Sequence, residues 1–69
     1  MKPDAKYIMA KDLYVEARDL TIHEGGVLTR THGCYYLEGG LLDRWFQDQF
    51  DRLTEYEDKN GYKYLKKIY

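Results

Sequence analysis

The sequence predicts an α+β fold in which one amphipathic helix packs on a small antiparallel sheet of three to four strands. Two observations predict it. Glycines at positions 25–26, 33 and 39–40 divide the first half of the chain into short segments of strand-like composition. The second half has apolar residues at three- and four-residue steps, the spacing of a helix with one buried face. Strands followed by a helix in one short chain are typical of a single α+β domain, here residues 1–69.

Alternation between apolar and polar residues predicts that the strands lie within residues 7–37. Residues 13–17 alternate in this way, as a half-buried strand requires. Gly25 and Gly26 are a candidate two-residue turn that joins the segments on either side of them into a hairpin. For residues 5–20 a helix stays open as an alternative, because the apolar residues there also fit a helical stripe.

The stretch THGCYYLEGG holds the only cysteine of the chain, beside a histidine and a glycine. His23, His32 and Cys34 are candidate zinc ligands, but their spacing lacks the paired short-range motif that structural zinc sites use. We therefore expect no metal and no cofactor, and we interpret the stretch as framework. Its glycine turns the chain, residues 34–37 form the last strand before the helix, and Cys34 is a buried or half-buried thiol.

An amphipathic helix is predicted over about residues 41–59. Its core face consists of apolar residues at helical spacing, which are Leu42, Trp45, Phe46, Phe50, Leu53 and Tyr56. Asp43 lies in the first turn, where the helix dipole favours an anion, and Asn60 with Gly61 marks the end. Residues 62–69 follow as either a closing strand or a helical tail, and the sequence does not decide between the two.

Composition and charge limit the class of protein. The 69 residues are 43% hydrophobic and 33% charged, which argues against a disordered chain and against a membrane span. Charged residues flank a short apolar run near the N-terminus, so no secretory signal is predicted and a cytoplasmic location is expected. A core this small, with one cysteine, has little stabilisation of its own, so a homo-oligomer is a further expectation.

The net charge of −1 conceals an uneven distribution along the chain. Residues 38–58 contain seven acidic and two basic side chains, whereas residues 59–69 contain four lysines. An acidic stripe is predicted on the outward side of the helix, formed by Asp43, Asp51 and Asp58 together with Gln47 and Thr54. Clustered charge of one sign steers association, so this stripe is a candidate docking surface for a partner protein.

The chain contains eight tyrosines, an unusually large number for its length. Tyrosine combines a large apolar ring with a polar tip, which is favoured at binding surfaces. The candidate partner-binding tyrosines beside the acidic stripe are Tyr35, Tyr62 and Tyr64. The C-terminal segment supports a second interpretation, because rings that stack on bases and lysines that follow phosphates are used to bind single-stranded nucleic acid. In that interpretation the candidate residues are Lys63, Lys66 and Lys67.

No motif in the sequence indicates catalysis. The chain has no glycine-rich phosphate loop of recognised spacing, no G-x-S-x-G turn and no H-E-x-x-H helix. An exposed helix face also provides little of the desolvation that raises the pKa of a catalytic acid. We therefore predict that the protein is not an enzyme.

Four short segments resemble a group of small phage and prophage domains of uncharacterised function. The segments are KDLYVEA at 11–17, GVLTR at 26–30, GCYY at 33–36 and LDRWF at 42–46, and the chain lacks the proline that precedes the last segment in that group. The resemblance implies a phage or mobile-element origin and no catalytic residue. In size and charge segregation the chain is also similar to small phage-encoded inhibitors of host defence, including anti-CRISPR proteins. The resulting expectation is a protein that binds a host protein complex, with no membrane partner.

Overall fold

A computed structural model describes residues 2–69, which form seven strands, one α-helix and one short 3₁₀ turn. The elements in chain order are β1 (Ala5–Met9), β2 (Leu13–Val15), the 3₁₀ turn (Glu16–Arg18), β3 (Leu20–Ile22), β4 (Val27–Thr31), β5 (Cys34–Leu37), β6 (Gly40–Leu41), α1 (Arg44–Asn60) and β7 (Leu65–Lys67). Five strands form an antiparallel sheet in the order β6-β5-β4-β1-β7, and β2 pairs with β3 in a separate two-stranded sheet. The α+β prediction is confirmed, whereas the prediction of three to four strands is wrong.

Two segments whose secondary structure the sequence did not decide are strands, because each pairs with a neighbouring strand of the sheet. β1 pairs with β4, with Tyr7 opposite Leu28, so the helical alternative for the N-terminus does not hold. The C-terminal segment forms β7, which pairs antiparallel with the other side of β1 and places Leu65 opposite Met9. β1 is therefore a central strand, with partners on both sides.

The predicted hairpin around Gly25 and Gly26 does not form. β3 pairs with β2, whereas β4 pairs with β1, so the two segments beside these glycines belong to different sheets. The glycines instead continue the ladder with β1: Met9 N–H donates to the Gly26 carbonyl and Gly25 N–H donates to the Met9 carbonyl, both at 2.9 Å. Alternating polarity specifies which face of a strand is buried, and it does not specify which strand lies beside it.

Two other dipeptides make the tight hairpin turns. His32 and Gly33 join β4 to β5 with φ values of 52° and 78°, and Glu38 and Gly39 join β5 to β6 with φ values of 50° and 81°. Positive φ at both central residues is the type I′ geometry that matches the twist of paired strands. The predicted turn at Gly33 and the strand that follows it are confirmed, but β5 is not the last strand before the helix, because β6 follows and pairs with it. Cys34, however, is exposed rather than buried, because the next residue of β5 takes the inward position.

The core lies between one face of the five-stranded sheet and α1. Its buried apolar residues are Ala5, Tyr7, Met9, Ile22, Leu28, Tyr35, Phe46, Phe50 and Leu65. Phe46 and Phe50 lie four residues apart in α1, with their rings stacked at 6.2 Å. The β2–β3 sheet packs on the same side as the helix, and Ile22 enters the core from it.

The helix differs from its prediction in extent and in its buried face. It begins at Arg44, because Asp43 is the N-cap and accepts a hydrogen bond from Phe46 N–H at 3.1 Å. Tyr56, a predicted core residue, is 65% exposed, whereas Thr54, predicted to face outward, is fully buried. The predicted stop is confirmed, since Gly61 ends the helix with φ 99°.

Candidate functional site

A buried cation connects the sheet to the helix. Arg30 of β4 is 3% exposed, and its Nε donates to the Pro3 carbonyl at 2.8 Å. Its Nη1 donates to the Tyr35 hydroxyl at 2.9 Å, and that hydroxyl lies 2.8 Å from Thr54 Oγ1. The same hydroxyl donates to Asp51 at 3.3 Å. Buried polar groups cost stability unless they are hydrogen-bonded, so this network explains why Thr54 replaces an apolar residue on the inner face of α1.

Tyr35 does not present its ring to solvent. It is 1% exposed, and its ring lies 6.3 Å from that of Phe50. Its expected place on a partner-binding surface is therefore wrong, because the alternation of β5 turns its side chain toward the helix.

The three aspartates of the predicted acidic stripe each bind a group within the chain. Asp43 accepts from Arg18 at 2.9 and 3.4 Å in addition to capping the helix. Asp51 pairs with Lys2 at 2.8 Å. The Phe46 N–H, helped by Arg18, lowers the pKa of Asp43, and the Lys2 hydrogen bond lowers the pKa of Asp51. The negative charges of Asp43 and Asp51, which were predicted to attract a partner protein, are thus partly neutralised by cations of the same chain.

Asp58 and Tyr62 are brought together beside β1. The Tyr62 hydroxyl donates a short hydrogen bond to Asp58, which also accepts from the Tyr7 hydroxyl at 3.3 Å. The bond to Asp58 raises the pKa of Tyr62 to about 12, because the carboxylate disfavours an anionic phenolate. Tyr62 keeps 44% of its surface exposed, and its ring lies 6.4 Å from that of Tyr7.

Opposite flanks of α1 carry different chemistry. Because helix positions advance by about 100° per residue, Asp51 and Asp58 lie on one flank, whereas Trp45, Gln49 and Leu53 lie on the other. The second flank faces β2 across a concave surface that we call the β2–α1 groove. The groove encloses about 280 Å³ and is lined by Leu13, Tyr14, Val15, Trp45, Phe46, Gln49, Phe50, Leu53 and Tyr64.

Among the residues that the structure describes, Gln49 is the only non-aromatic polar one that lines the β2–α1 groove. Trp45 stands edge-on against Phe46, with ring centroids 5.0 Å apart at 83°. Trp45, Leu53 and Tyr64 are half-buried, and Tyr14 on the opposite wall is 57% exposed. The groove therefore exposes aromatic and aliphatic surface directly beside the core.

A cation lies over an aromatic ring at each end of the groove. Lys11 Nζ is 4.6 Å from the centre of the Tyr64 ring. The Arg18 guanidinium is 4.9 Å from the centre of the Trp45 ring and is held there by its ion pair with Asp43. Cations over aromatic faces are attracted by the ring quadrupole, so a cation packs on a ring at each end of the groove; the Arg18 charge is balanced by Asp43, whereas Lys11 has no carboxylate within 4 Å in the described residues.

The sequence analysis identified Tyr64 and missed the rest of the groove as a site. Trp45 and Leu53 both lie on the predicted apolar face of the helix, and this pattern predicted that they belong to the core. In the structure they are only half-buried, because β2 lies beside α1 without covering them. Tyr14 carried no distinguishing signal beyond being one tyrosine among eight.

The other predicted site residues lie apart from the groove. Lys63 follows the helix, and Lys66 and Lys67 lie in the edge strand β7; all three are exposed. His23 contacts Asp12 at 3.9 Å, and residues 2–69 contain no group of three His, Cys, Asp or Glu side chains placed to hold a metal ion. In the same described part of the chain, no helix is both long and apolar enough to cross a membrane.

Comparison with protein-family models, with curated proteins and with solved structures finds no match to this chain.

Proposed function

We propose that this protein is a non-enzymatic protein-binding module whose working surface is the β2–α1 groove. The observation that carries the proposal is the wall of partly exposed apolar side chains at Tyr14, Trp45, Leu53 and Tyr64. Aromatic residues in a concave surface provide most of the energy of many protein interfaces, because they bury large areas with little loss of side-chain entropy.

The charges at the ends of the groove specify the chemistry of its occupant. Lys11 and Arg18 lie at opposite ends, over Tyr64 and Trp45. The complementary occupant is a short amphipathic segment of a partner protein, with apolar anchors in the groove and an acidic residue beside Lys11. Asp43 contributes by holding Arg18 in place, rather than by contacting a basic partner directly.

The resemblance to small phage domains supports a bacterial host complex as the partner. In this proposal the protein acts in the host cytoplasm as an inhibitor or modulator of that complex, for example of a CRISPR-Cas defence assembly. A binding module needs no reactive group for such a role, since occupying a surface of the larger complex is sufficient.

The test begins with identification of the partner by affinity capture from nuclease-treated bacterial lysate, followed by reconstitution of the purified complex. Trp45 is the only tryptophan and lines the groove, so its fluorescence reports occupancy directly. We expect the partner to shift Trp45 emission to shorter wavelength and to protect it from quenching by iodide.

A matched pair of substitutions separates the groove from other surfaces. Tyr14→Ala removes a groove residue that is 57% exposed, and Tyr56→Ala removes a tyrosine of α1 that is 65% exposed and does not line the groove. We expect Tyr14→Ala to weaken binding about fivefold or more and Tyr56→Ala to leave it unchanged. The proposal would be contradicted if iodide still quenched Trp45 fully in the complex and the two substitutions changed the binding affinity equally.

A further inference from the structure

The five-stranded sheet has one face packed against the core and one face that we call the open face. Side chains alternate along each strand, so the neighbours of buried residues point to this second face. Its residues include Lys6, Ile8, Thr29, Tyr36, Leu41 and Lys66, and among the described residues none of the outward strand positions is buried. Leu41 is 65% exposed and Ile68, which continues β7, is 47% exposed.

The open face is positively charged. No Asp or Glu occurs in any of the five strands of this sheet, whereas Lys6 and Lys66 lie at outward positions, and Lys67, opposite the inward-facing Tyr7, lies at the edge on the helix side. Within residues 2–69, no carboxylate lies within 4 Å of these three ammonium groups. The helix on the other side of the sheet has five acidic and three basic residues. The small net charge of the chain is therefore the sum of a positively charged sheet and a negatively charged helix.

Strand register places Tyr36 and Lys6 in one row across this face, with Lys66 in the next row. Tyr36 lies opposite Thr29, and Thr29 lies opposite Lys6 on the next strand. Neighbouring strands are about 4.8 Å apart, so Tyr36 and Lys6 are separated by about 10 Å. Lys66 lies opposite Ile8, which is two residues along β1 from Lys6, so Lys66 falls in the neighbouring row of outward side chains.

We propose that the open face binds single-stranded nucleic acid. Tyr36 provides a ring on which a base stacks, while Lys6 and Lys66 contact phosphates. Charge complementarity favours this occupant over a second copy of the chain, because two open faces would bring lysines together without any carboxylate from the strands. The surface lies on the opposite side of the sheet from the β2–α1 groove, so the two proposals succeed or fail separately.

The test measures binding of fluorescently labelled oligo-dT and oligo-rU of about twelve nucleotides, a length typical of single-strand sites, beside a duplex of the same length. With two lysines in contact, the logarithm of the affinity should fall with the logarithm of salt concentration with a slope of about −1.4. The double substitution Lys6→Ala with Lys66→Ala should remove most of that slope. The matched control, Arg44→Ala with Lys59→Ala, removes two cations from the helix and should leave the slope unchanged. Preference for one of the two oligomers distinguishes RNA from DNA.

Stacking is tested separately at Tyr36. Tyr36→Val keeps a strand-forming residue and should lower affinity about tenfold, whereas Tyr36→Phe keeps the ring and should lower it little. Chemical-shift mapping of the unmodified protein with oligo-dT provides a readout that no substitution can disturb, and the shifts should concentrate at Lys6, Thr29 and Tyr36.

Several outcomes would overturn the inference. They are the absence of binding at low salt, equal loss of affinity in the Lys6/Lys66 variant and its control, and chemical shifts that map to α1. Equal binding of polyglutamate would assign the face to acidic proteins instead, and equal binding of duplex would exclude stacking on Tyr36.

Discussion

Buried polar residues decide how the C-terminal strand is attached. Glu57 is 2% exposed, and its carboxylate accepts from the backbone N–H groups of Lys63, Tyr64 and Leu65 at distances between 2.9 and 3.2 Å. These donors belong to the loop after the helix and to the first residue of β7. One side chain thus satisfies three backbone groups and holds the loop in the shape that returns the chain to β1.

Replacing this carboxylate is expected to weaken the fold. In Glu57→Gln the uncharged amide loses the charge-assisted hydrogen bonds and turns an NH₂ group toward backbone donors. We expect the free energy of unfolding to fall by about 2 kcal/mol, measured by urea denaturation. Glu55→Gln is the control, because the Glu55 side chain is 57% exposed. Equal stability of the two variants would show that the Glu57 contacts contribute no net stabilisation.

At the scale of elements, the ends of α1 are specified locally, and its flanks are held by charges from distant parts of the chain. Asp43 caps the helix and pairs with Arg18, and Asp51 pairs with Lys2. The helix is therefore tied on one side to the β2–β3 region and on the other to the N-terminus. Exposed ion pairs contribute little individually, but these two also have a defined response to pH.

The stability of the protein should fall in acid through these two aspartates. Their folded-state pKa values lie below the ordinary value of 3.8, so their stabilisation is present above that pH. It is lost as the pH falls below 3.8 and through the lowered pKa values. We expect the double substitution Asp43→Asn with Asp51→Asn to flatten the dependence of unfolding free energy on pH between about 5 and 2. Asparagine keeps the helix cap, so a fold defect is not expected.

Asp48→Asn is the control for this titration, because Asp48 forms no ion pair in the described residues. It should leave the slope of stability against pH unchanged. An identical slope in the wild type and in the double variant would mean that the pairs with Arg18 and Lys2 do not persist in solution.

At the scale of the whole molecule, the five-stranded sheet with α1 forms one unit and the β2–β3 sheet forms a second, and side chains join the two. The five-stranded sheet and α1 share the main core, whereas β2 and β3 share no backbone ladder with that sheet. The β2–β3 unit is held by Ile22 in the core and by Arg18, which contacts both Asp43 and Trp45. It also forms one wall of the proposed protein-binding groove.

Local stability should follow this division. Hydrogen exchange is slowest in elements with the most buried contacts, so amides of β1 and β4 should exchange last and amides of β2 and β3 earlier. Arg18→Ala should accelerate exchange in β2 and β3 without changing it in β1 and β4. Arg44→Ala, which removes an exposed cation of the helix, is the control. Uniform protection across all strands would show that the two units open together.

The sequence by itself determined the features that depend on neighbours along the chain. These are the α+β class, the turn at Gly33 with the strand after it, the amphipathic helix with Asp43 at its start, and the stop at Gly61. Each follows from a local cause, such as the period of apolar residues, a φ that glycine accepts readily, or an acidic side chain at the positive end of the helix dipole.

Only the tertiary structure decided which segments meet. It separated β3 from β4, made the C-terminus a strand beside β1, turned Tyr35 inward and left Trp45 half-exposed beside Tyr14. It also paired the aspartates with residues as distant in sequence as Lys2 and Arg18. The period of apolar residues along the chain indicates which face of a helix or strand is buried. Which residues pack on that face depends on contacts between segments far apart in the chain, and no local pattern encodes those contacts.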